Sequence, residues 1–311
     1  MNIKKVVVAG GGVLGSQIAY QSAFSGFDVK IWLRSEGSIT RATPKLERLK
    51  NIYLQTLEAM KTDEKAYCAG FTDHKLTNEE IDALKDKAVK AHDSLVLTTS
   101  YEEAFKDADL VIEAIAEDPK QKIAFYEEMA KHLPEQTIVT TNSSTLLPSQ
   151  LAKYTGRPEK YLAIHFANEI WKFNTAEIMG HPGTDQKYYD EVVAFAKAIR
   201  MVPLCLKKEQ PGYILNSMLV PFLSAAEALV ANDVADPQTV DTTWRLATGA
   251  PAGPFRILDI VGLTTAYNIV IMNPQAKDPT TIPGKIATML KTYINEGKTG
   301  INAGEGFYKY K

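Results

Sequence analysis

The feature that most restricts the fold lies near the start of the chain, where the β-branched run Val6-Val7-Val8-Ala9 leads straight into Gly10-Gly11-Gly12-Val13-Leu14-Gly15. A short, uninterrupted apolar run suits a strand buried on both faces of a parallel sheet. Glycines at 10, 12 and 15 suit a tight passage from that strand into a helix. The first permits the bend, the second lets backbone approach a ligand, and the third lets the helix pack closely on the sheet. Ile18, Ala19, Ser22 and Ala23 continue at helical spacing, Gly26 can close the helix, and Val29-Lys30-Ile31-Trp32-Leu33 reads as a second strand. Strand, helix and strand in close succession predict a βαβ unit.

A helix N-terminus under such a turn offers free N–H groups and partial positive charge to a diphosphate. Gly10, Gly12, Val13, Leu14 and Gly15 are therefore expected to cradle a dinucleotide. In an NAD site an acidic residue at the end of the second strand usually accepts hydrogen bonds from the adenosine ribose. This chain has Leu33 there, followed by Arg34 and Ser35. A guanidinium fork and a hydroxyl suit a ribose 2′-phosphate, so the expected cofactor is NADP(H). If Arg34 stacks on the adenine instead, NAD(H) is the alternative.

Downstream, residues 44–61 read as an amphipathic helix with Leu46, Ile52, Tyr53, Leu57 and Met60 near one side, and 78–90 as a second helix. The strand pattern resumes only at Leu95-Val96-Leu97, which predicts a helical hairpin projecting from the sheet. Strands follow at Leu110-Val111-Ile112, Thr137-Ile138-Val139 and Leu162-Ala163-Ile164, with a helix over 120–132. This alternation predicts an α/β fold with a Rossmann-type doubly wound sheet. Beyond Cys205 only helical patterns appear, over 213–230, 237–247, 262–271 and 283–296. The expected domains are thus a nucleotide-binding domain, 1–206, and an all-α domain, 207–311.

With 35 basic against 37 acidic side chains and no block of one sign, the chain has no electrostatic footprint for nucleic acid or an anionic membrane. Its two cysteines, Cys68 and Cys205, lack the paired spacing of metal sites or disulfide frameworks, so no metal is expected and both read as reduced thiols in a cytoplasmic protein. No signal-peptide pattern opens the chain and no window approaches 18 uninterrupted apolar residues, so neither secretion nor membrane spanning is expected. Small-molecule chemistry is the default.

Two segments carry that chemistry. Asn142-Ser143-Ser144 follows a strand, at the sheet edge where α/β proteins bind ligands. His165-Phe166-Ala167-Asn168 follows another, and Glu177 lies within Asn174-Thr175-Ala176-Glu177. A histidine with a carboxylate partner is the usual proton-transfer pair. Without further context, Ser144 could cap a helix near Pro148, and Trp171 and Trp244 either shape a bulky-substrate pocket or pack in aromatic cores. Lys45, Arg48 and Lys50 lie close together on the first projecting helix and read as a solvated face.

Together these motifs resemble the 3-hydroxyacyl-CoA dehydrogenase family. The resemblance also takes in Glu113-Ala114-Ile115-Ala116-Glu117 with Lys122, Pro211-Gly212-Tyr213-Ile214-Leu215-Asn216, the Gly249 to Pro254 loop, Asp259 with Gly262-Leu263, and Gly306-Phe307-Tyr308. Its diketoreductase-like branch is the most similar, through residues 142–149, 174–177 and 259–268. The resemblance implies hydride transfer between a nicotinamide cofactor and a 3-hydroxy or 3-keto substrate of fatty acid metabolism. It implies His165 as proton donor and acceptor, Glu177 as its orienting partner, Ser144 and Asn216 on the reacting oxygen, Asn142 at the nicotinamide end, and Glu117 and Lys122 on the cofactor ribose and nicotinamide side. It also implies a homodimer through the helical domain, and a contact of Lys45, Arg48 and Lys50 with the nucleotide part of a CoA substrate. Glu169-Ile170-Trp171 stands where acyl-CoA members commonly have a proline, which leaves open a CoA thioester or a free or esterified keto acid. A reading of another class is a nucleotide-binding, non-catalytic, crystallin-like protein.

Overall fold

A computed structural model describes residues 3–310; Met1, Asn2 and Lys311, which fall within the domain ranges expected from sequence, lie outside the described residues. The chain divides into two compact units, Met1–Ile214 and Leu215–Lys311. The division falls later than the 206/207 boundary expected from composition, because Tyr213 and Ile214 bond to the first unit: Tyr213 Oη donates to the Ser143 carbonyl (2.7 Å) and Ile214 N–H to Glu177 (2.8 Å).

The first unit is built on an eight-stranded sheet in the order β3-β2-β1-β4-β5-β6-β7-β8. Its strands are β1 (Lys5–Ala9), β2 (Asp28–Trp32), β3 (Val96–Thr98), β4 (Leu110–Glu113), β5 (Ile138–Thr141), β6 (Tyr161–Phe166), β7 (Thr175–Met179) and β8 (Val202–Cys205). The first six pair in parallel, β7 runs antiparallel to β6, and β8 is parallel to β7. The strand order reverses between β1 and β4, the switch point beside which doubly wound sheets open a crevice.

Seven helices serve this sheet: α1 (Val13–Phe24), α2 (Glu36–Met60), α3 (Asn78–Ser94), α4 (Tyr101–Phe105), α5 (Pro119–Met129), α6 (Pro148–Leu151) and α7 (Gln186–Ala198). Alternate strand residues serve opposite cores. Val6, Val8, Ile112, Ile138, Leu162 and Ile164 pack with side chains of α1, α2, α3 and α7, while Val7, Val111, Val139 and Tyr161 pack with those of α4, α5 and α6. Trp171 joins the first core, its ring 5.5 Å from that of Tyr53, and so serves packing. α3 starts at a capping box in which Thr77 and Glu80 satisfy each other's backbone N–H groups (3.3 and 2.8 Å).

α2 begins at Glu36 rather than at Pro44, so the proline lies inside it. Pro44 removes one helical donor, yet its fixed φ is helical. The first turns are held by Ala42, which is fully buried, and the Thr40 and Thr43 hydroxyls turn back onto the carbonyls of Glu36 and Ile39. The elements β7, α7 and β8 were not expected from sequence.

The second unit contains α8 (Leu215–Ala231), α9 (Pro237–Thr248), α10 (Pro254–Val261), α11 (Leu263–Val270) and α12 (Ile282–Asn295) around Leu223, Phe255, Leu258, Leu263 and Leu290. Two buried carboxylates organise it. Asp241 accepts the N–H groups of Phe255 and Arg256 at the start of α10 (2.8 and 3.0 Å), and Asp259 accepts those of Phe307 and Tyr308 (2.8 and 3.0 Å). Trp244 is partly exposed and packs on Phe222, ring centroids 4.5 Å apart.

Candidate functional site

β1 ends at Ala9, and Gly10 turns the chain with φ of 121°. A Cβ at Gly10 would collide with the Ala114 carbonyl, and one at Gly15 with the Gly10 carbonyl, so both positions need glycine for closure of the turn. A Cβ at Gly12 would meet no protein atom within 4 Å. Gly12 is also the N-cap of α1, makes no side-chain cap, and no acidic residue lies in the first turn, so the helix start faces open space with its N–H groups available. These are the properties of a surface that takes a diphosphate against bare backbone.

A cavity of about 270 Å³ opens there, lined by Gly12 to Gly15, Ala114, Ile115, Glu117, Lys122 and Asn142 to Ser144. Of the expected cradle residues Gly12, Val13, Leu14 and Gly15 line it, together with Glu117, Lys122, Asn142 and Ser144, while Gly10 turns the chain behind them. Lys45, reaching over from α2, donates to the Gly11 carbonyl (3.0 Å), which puts one of the three surface cations beside the turn. Lys50 instead pairs with Glu47 on its own helix.

Leu33 is buried against the glycine turn, while Arg34 is exposed beyond the end of β2, with Nη1 on Gln121 Oε1 (3.1 Å). Ser35 caps α2 by position, and its Oγ lies 3.1 Å from Ser38 Oγ, which also takes a hydrogen bond from Arg41 Nη2 (2.9 Å). The nearby Glu36 carboxylate is engaged by Thr99 Oγ1 (3.1 Å).

Beneath the cavity lies a network that sequence reasoning did not anticipate. Glu113, fully buried at the end of β4, accepts from the Ile115 N–H (2.8 Å) and Lys122 Nζ (2.5 Å) on one oxygen, and from Tyr126 (2.7 Å) and Thr141 (2.8 Å) on the other. Its four donors occupy the lone-pair directions of a carboxylate, which makes this burial tolerable. Lys122 is only 1% exposed and also lies 3.5 Å from Glu117. Glu117 accepts from Ser143 Oγ (2.5 Å) and from the N–H and hydroxyl of Thr145 (3.0 and 2.8 Å). Burial pushes its carboxyl up, but those hydrogen bonds and the Lys122 charge outweigh it and hold it below the ordinary range.

β6 and β7 supply the histidine and its partner. His165 and Glu177 stand directly opposite each other across the antiparallel pair, both buried, with His165 Nδ1 3.0 Å from Glu177 Oε2. A carboxylate only accepts, so Nδ1 carries the proton and Nε2 faces the other way with its lone pair. There it meets Ser144 Oγ at 3.2 Å. Asn142 Oδ1 accepts the Phe166 N–H (3.1 Å), tying the serine-bearing turn to the end of β6. Ser144, His165 and Glu177 thus form one hydrogen-bonded line, and Ser144 also lines the cavity. Asn216 belongs to the second unit, in the first turn of α8, and is half-buried.

A bare-backbone diphosphate cradle and an imidazole–carboxylate pair on one sheet edge are the working parts of a nicotinamide-dependent oxidoreductase. Residues 5–210 match the model of the 3-hydroxyacyl-CoA dehydrogenase NAD binding domain, and 212–310 that of the 3-hydroxyacyl-CoA dehydrogenase C-terminal domain. The mitochondrial hydroxyacyl-coenzyme A dehydrogenase of Homo sapiens is 31% identical, covering 99% of this chain and 92% of its own length. A probable 3-hydroxybutyryl-CoA dehydrogenase of Bacillus subtilis is 28% identical over 100% of this chain and 99% of its own. A solved diketoreductase structure superposes with a TM-score of 0.84 at 45% identity over 100% of both chains. The chain belongs to the 3-hydroxyacyl-CoA dehydrogenase family.

Proposed function

We propose that this protein interconverts a 3-hydroxy and a 3-keto group on an acyl substrate, with Ser144, His165, Glu177 and Asn216 as its reaction machinery. The observation that carries the reading is the hydrogen-bonded line from the cavity through Ser144 and His165 to Glu177. A nicotinamide cofactor held there would supply or accept the hydride at C3 of the substrate. In the oxidative direction His165 Nε2 takes the proton of the 3-hydroxyl; in the reductive direction the protonated ring returns it to the 3-keto oxygen. Glu177 fixes the ring's tautomer and balances its positive charge. Ser144 would donate a hydrogen bond to the reacting oxygen, a role the family resemblance gives also to Asn216, and Asn142 would lie on the nicotinamide side. Gly10, Gly12, Val13, Leu14 and Gly15 hold the diphosphate, with Glu117 and Lys122 on the ribose and nicotinamide side. Retention of the whole Ser144, His165 and Glu177 line argues against a non-catalytic, crystallin-like role.

NADP(H) is the cofactor form this chain is built to prefer. Buried Leu33 offers no carboxylate to a ribose 2′-hydroxyl, whereas Ser35, Ser38 and Arg41 bring a guanidinium and two hydroxyls together past the end of β2, with the exposed Arg34 guanidinium on Gln121. The substrate class is an acyl-CoA thioester, supported by the relatives named for such substrates; a cytoplasmic role in fatty acid metabolism rests on the sequence expectation alone. A second reading, a keto acid or ester, is favoured by the 45% identity to a diketoreductase that acts on dicarbonyl compounds. Two copies associate through the second unit, where Met218, Val234, Leu246 and Met272 are more than 60% exposed. Measuring kcat/KM for acetoacetyl-CoA against a 3,5-diketo ester, each with NADPH and NADH, tests these points. Preference for the diketo ester reverses the substrate assignment, preference for NADH reverses the cofactor assignment, and turnover of neither carbonyl compound overturns the enzymatic reading.

A further inference from the structure

The segment Gly212-Tyr213-Ile214, at the end of the first unit, touches His165, Glu177 and the residue before Ser144. The Tyr213 ring lies flat on the His165 imidazole, centroids 4.5 Å apart and planes 12° from parallel. Its hydroxyl donates to the carbonyl of Ser143, the residue before Ser144 (2.7 Å). The next N–H, of Ile214, donates to Glu177 Oε1 (2.8 Å), the carboxylate oxygen that His165 does not use. Tyr213 is 1% exposed and packs with Ala163 of β6 and Met179 of β7, which lie on the same side of the sheet as His165 and Glu177.

This placement requires an unusual backbone. Gly212 and Tyr213 both have positive φ, 77° and 53°, and a bulky residue in the left-handed region is a genuine outlier that persists only where surrounding contacts over-determine it. Among the contacts that hold it are those of Tyr213 with the His165 ring, the Ser143 carbonyl and the Gln210 carbonyl, and that of Ile214 with Glu177. Burial, reinforced by the neighbouring Glu117, Glu177 and Glu113 carboxylates, keeps the Tyr213 phenol protonated, so its hydroxyl remains a donor to the Ser143 carbonyl.

Resting on the reading of His165 as the proton-transfer group, we infer that Tyr213 is a positioning residue for it: the stacked ring fixes the imidazole plane, and the hydroxyl sets the spacing between that plane and the turn bearing Ser144. Without the stack only the hydrogen bond to Glu177 restrains the imidazole about the bond to its Cβ, and the ring can tilt so that Nε2 moves off the direction of Ser144 and of the reacting oxygen. Tyr213 touches no reacting atom, so its loss lowers kcat and leaves the cofactor KM unchanged.

Two variants of the full-length protein separate this role from a merely structural one. Tyr213→Phe keeps the stack and loses one neutral hydrogen bond, so kcat stays within about threefold of wild type. Tyr213→Asn removes the stack while tolerating positive φ, and kcat for acetoacetyl-CoA reduction, or for whichever carbonyl substrate is turned over, falls about a hundredfold, the scale of an ångström-level misplacement. Thermal unfolding identifies any variant that fails to fold. NMR of histidine-labelled protein, assigned with His165→Asn, supplies the spectroscopic signature: ring-current shielding of the His165 ring protons is lost in the Asn variant and kept in the Phe variant. Wild-type kcat in a folded Tyr213→Asn, or His165 signals that do not move in it, overturns the inference alone. Wild-type turnover in His165→Asn overturns the reading of His165 and this inference with it.

Discussion

His165 and Glu177 are cross-strand partners, paired residue to residue between β6 and the antiparallel β7. Side chains opposite each other in such a pair leave the same face of the sheet with Cβ atoms about 5 Å apart, so the imidazole–carboxylate contact is a product of sheet register. Glu177→Gln preserves this geometry and removes the charge that stabilises a protonated ring. Its kcat is expected to fall by roughly 10² or more, within the range for general acid–base groups, with little change in cofactor KM. Steady-state kinetics of the variant check this, and a kcat within a few-fold of wild type contradicts the role given to Glu177.

The glycines of the turn are expected to respond differently to alanine. At Gly12 a Cβ meets open space and φ is −67°, so Gly12→Ala should fold normally yet stand off the diphosphate, raising cofactor KM about tenfold or more, equivalent to some 1.4 kcal/mol. At Gly15 the Cβ would overlap the Gly10 carbonyl, and the expected cost is about 1–3 kcal/mol of stability. Melting curves and cofactor titrations of the two variants distinguish the cases; equal effects on both readouts would contradict the assignment.

Lys122 and Glu113 form an ion pair with 1% and 0% of their side chains exposed. Removing one partner of a buried pair strands the other charge, at a typical cost of about 3–5 kcal/mol. Lys122→Met and Glu113→Gln are thus expected to lower the urea midpoint substantially. A Lys122→Met protein of wild-type stability with impaired cofactor binding would instead mark Lys122 as a ligand contact alone.

Glu227 of α8 is 2% exposed, its Oε1 has no hydrogen-bond partner among the described residues, and burial raises its pKa from the ordinary 4.5 to about 7. Between those values the folded state binds more protons than the unfolded one, so stability falls as pH rises from about 4.5 to about 7 and then levels off. The loss amounts to about 3 kcal/mol at 1.36 kcal/mol per pKa unit. Glu227→Gln should flatten this component of a Tm scan from pH 4 to pH 9. An unchanged slope in the variant would place the pH dependence elsewhere.

Much of the nucleotide-binding half was legible in sequence, because Val6-Val7-Val8, Leu110-Val111-Ile112 and the glycine spacing are local signals of a doubly wound sheet. β7 was harder to read: four of its five residues are buried, so Thr175 to Met179 shows no alternation, and a charged residue sits in its centre. Glu113 lies at the end of an apolar strand, and nothing local marks its partners Lys122, Tyr126 and Thr141, which three-dimensional packing alone brings to it. The stack of Tyr213 on His165 joins residues 48 positions apart (213 − 165) and leaves no periodic trace. The start of α2 was misplaced because Pro44 reads as a helix opening, whereas the buried Ala42 and the Ser35 cap position extend the helix ahead of it.

The antiparallel return of β7 also orders events in time. A chain growing from its N-terminus has all six parallel strands in hand once Phe166 is made, and with them the complete cradle for the dinucleotide. The carboxylate that steadies His165 and the tyrosine that lies on it arrive only afterwards, on β7 and on the link to α8. The residues that would capture the cofactor and those that would steady proton transfer are thus written in separate, successive stretches of a single polypeptide.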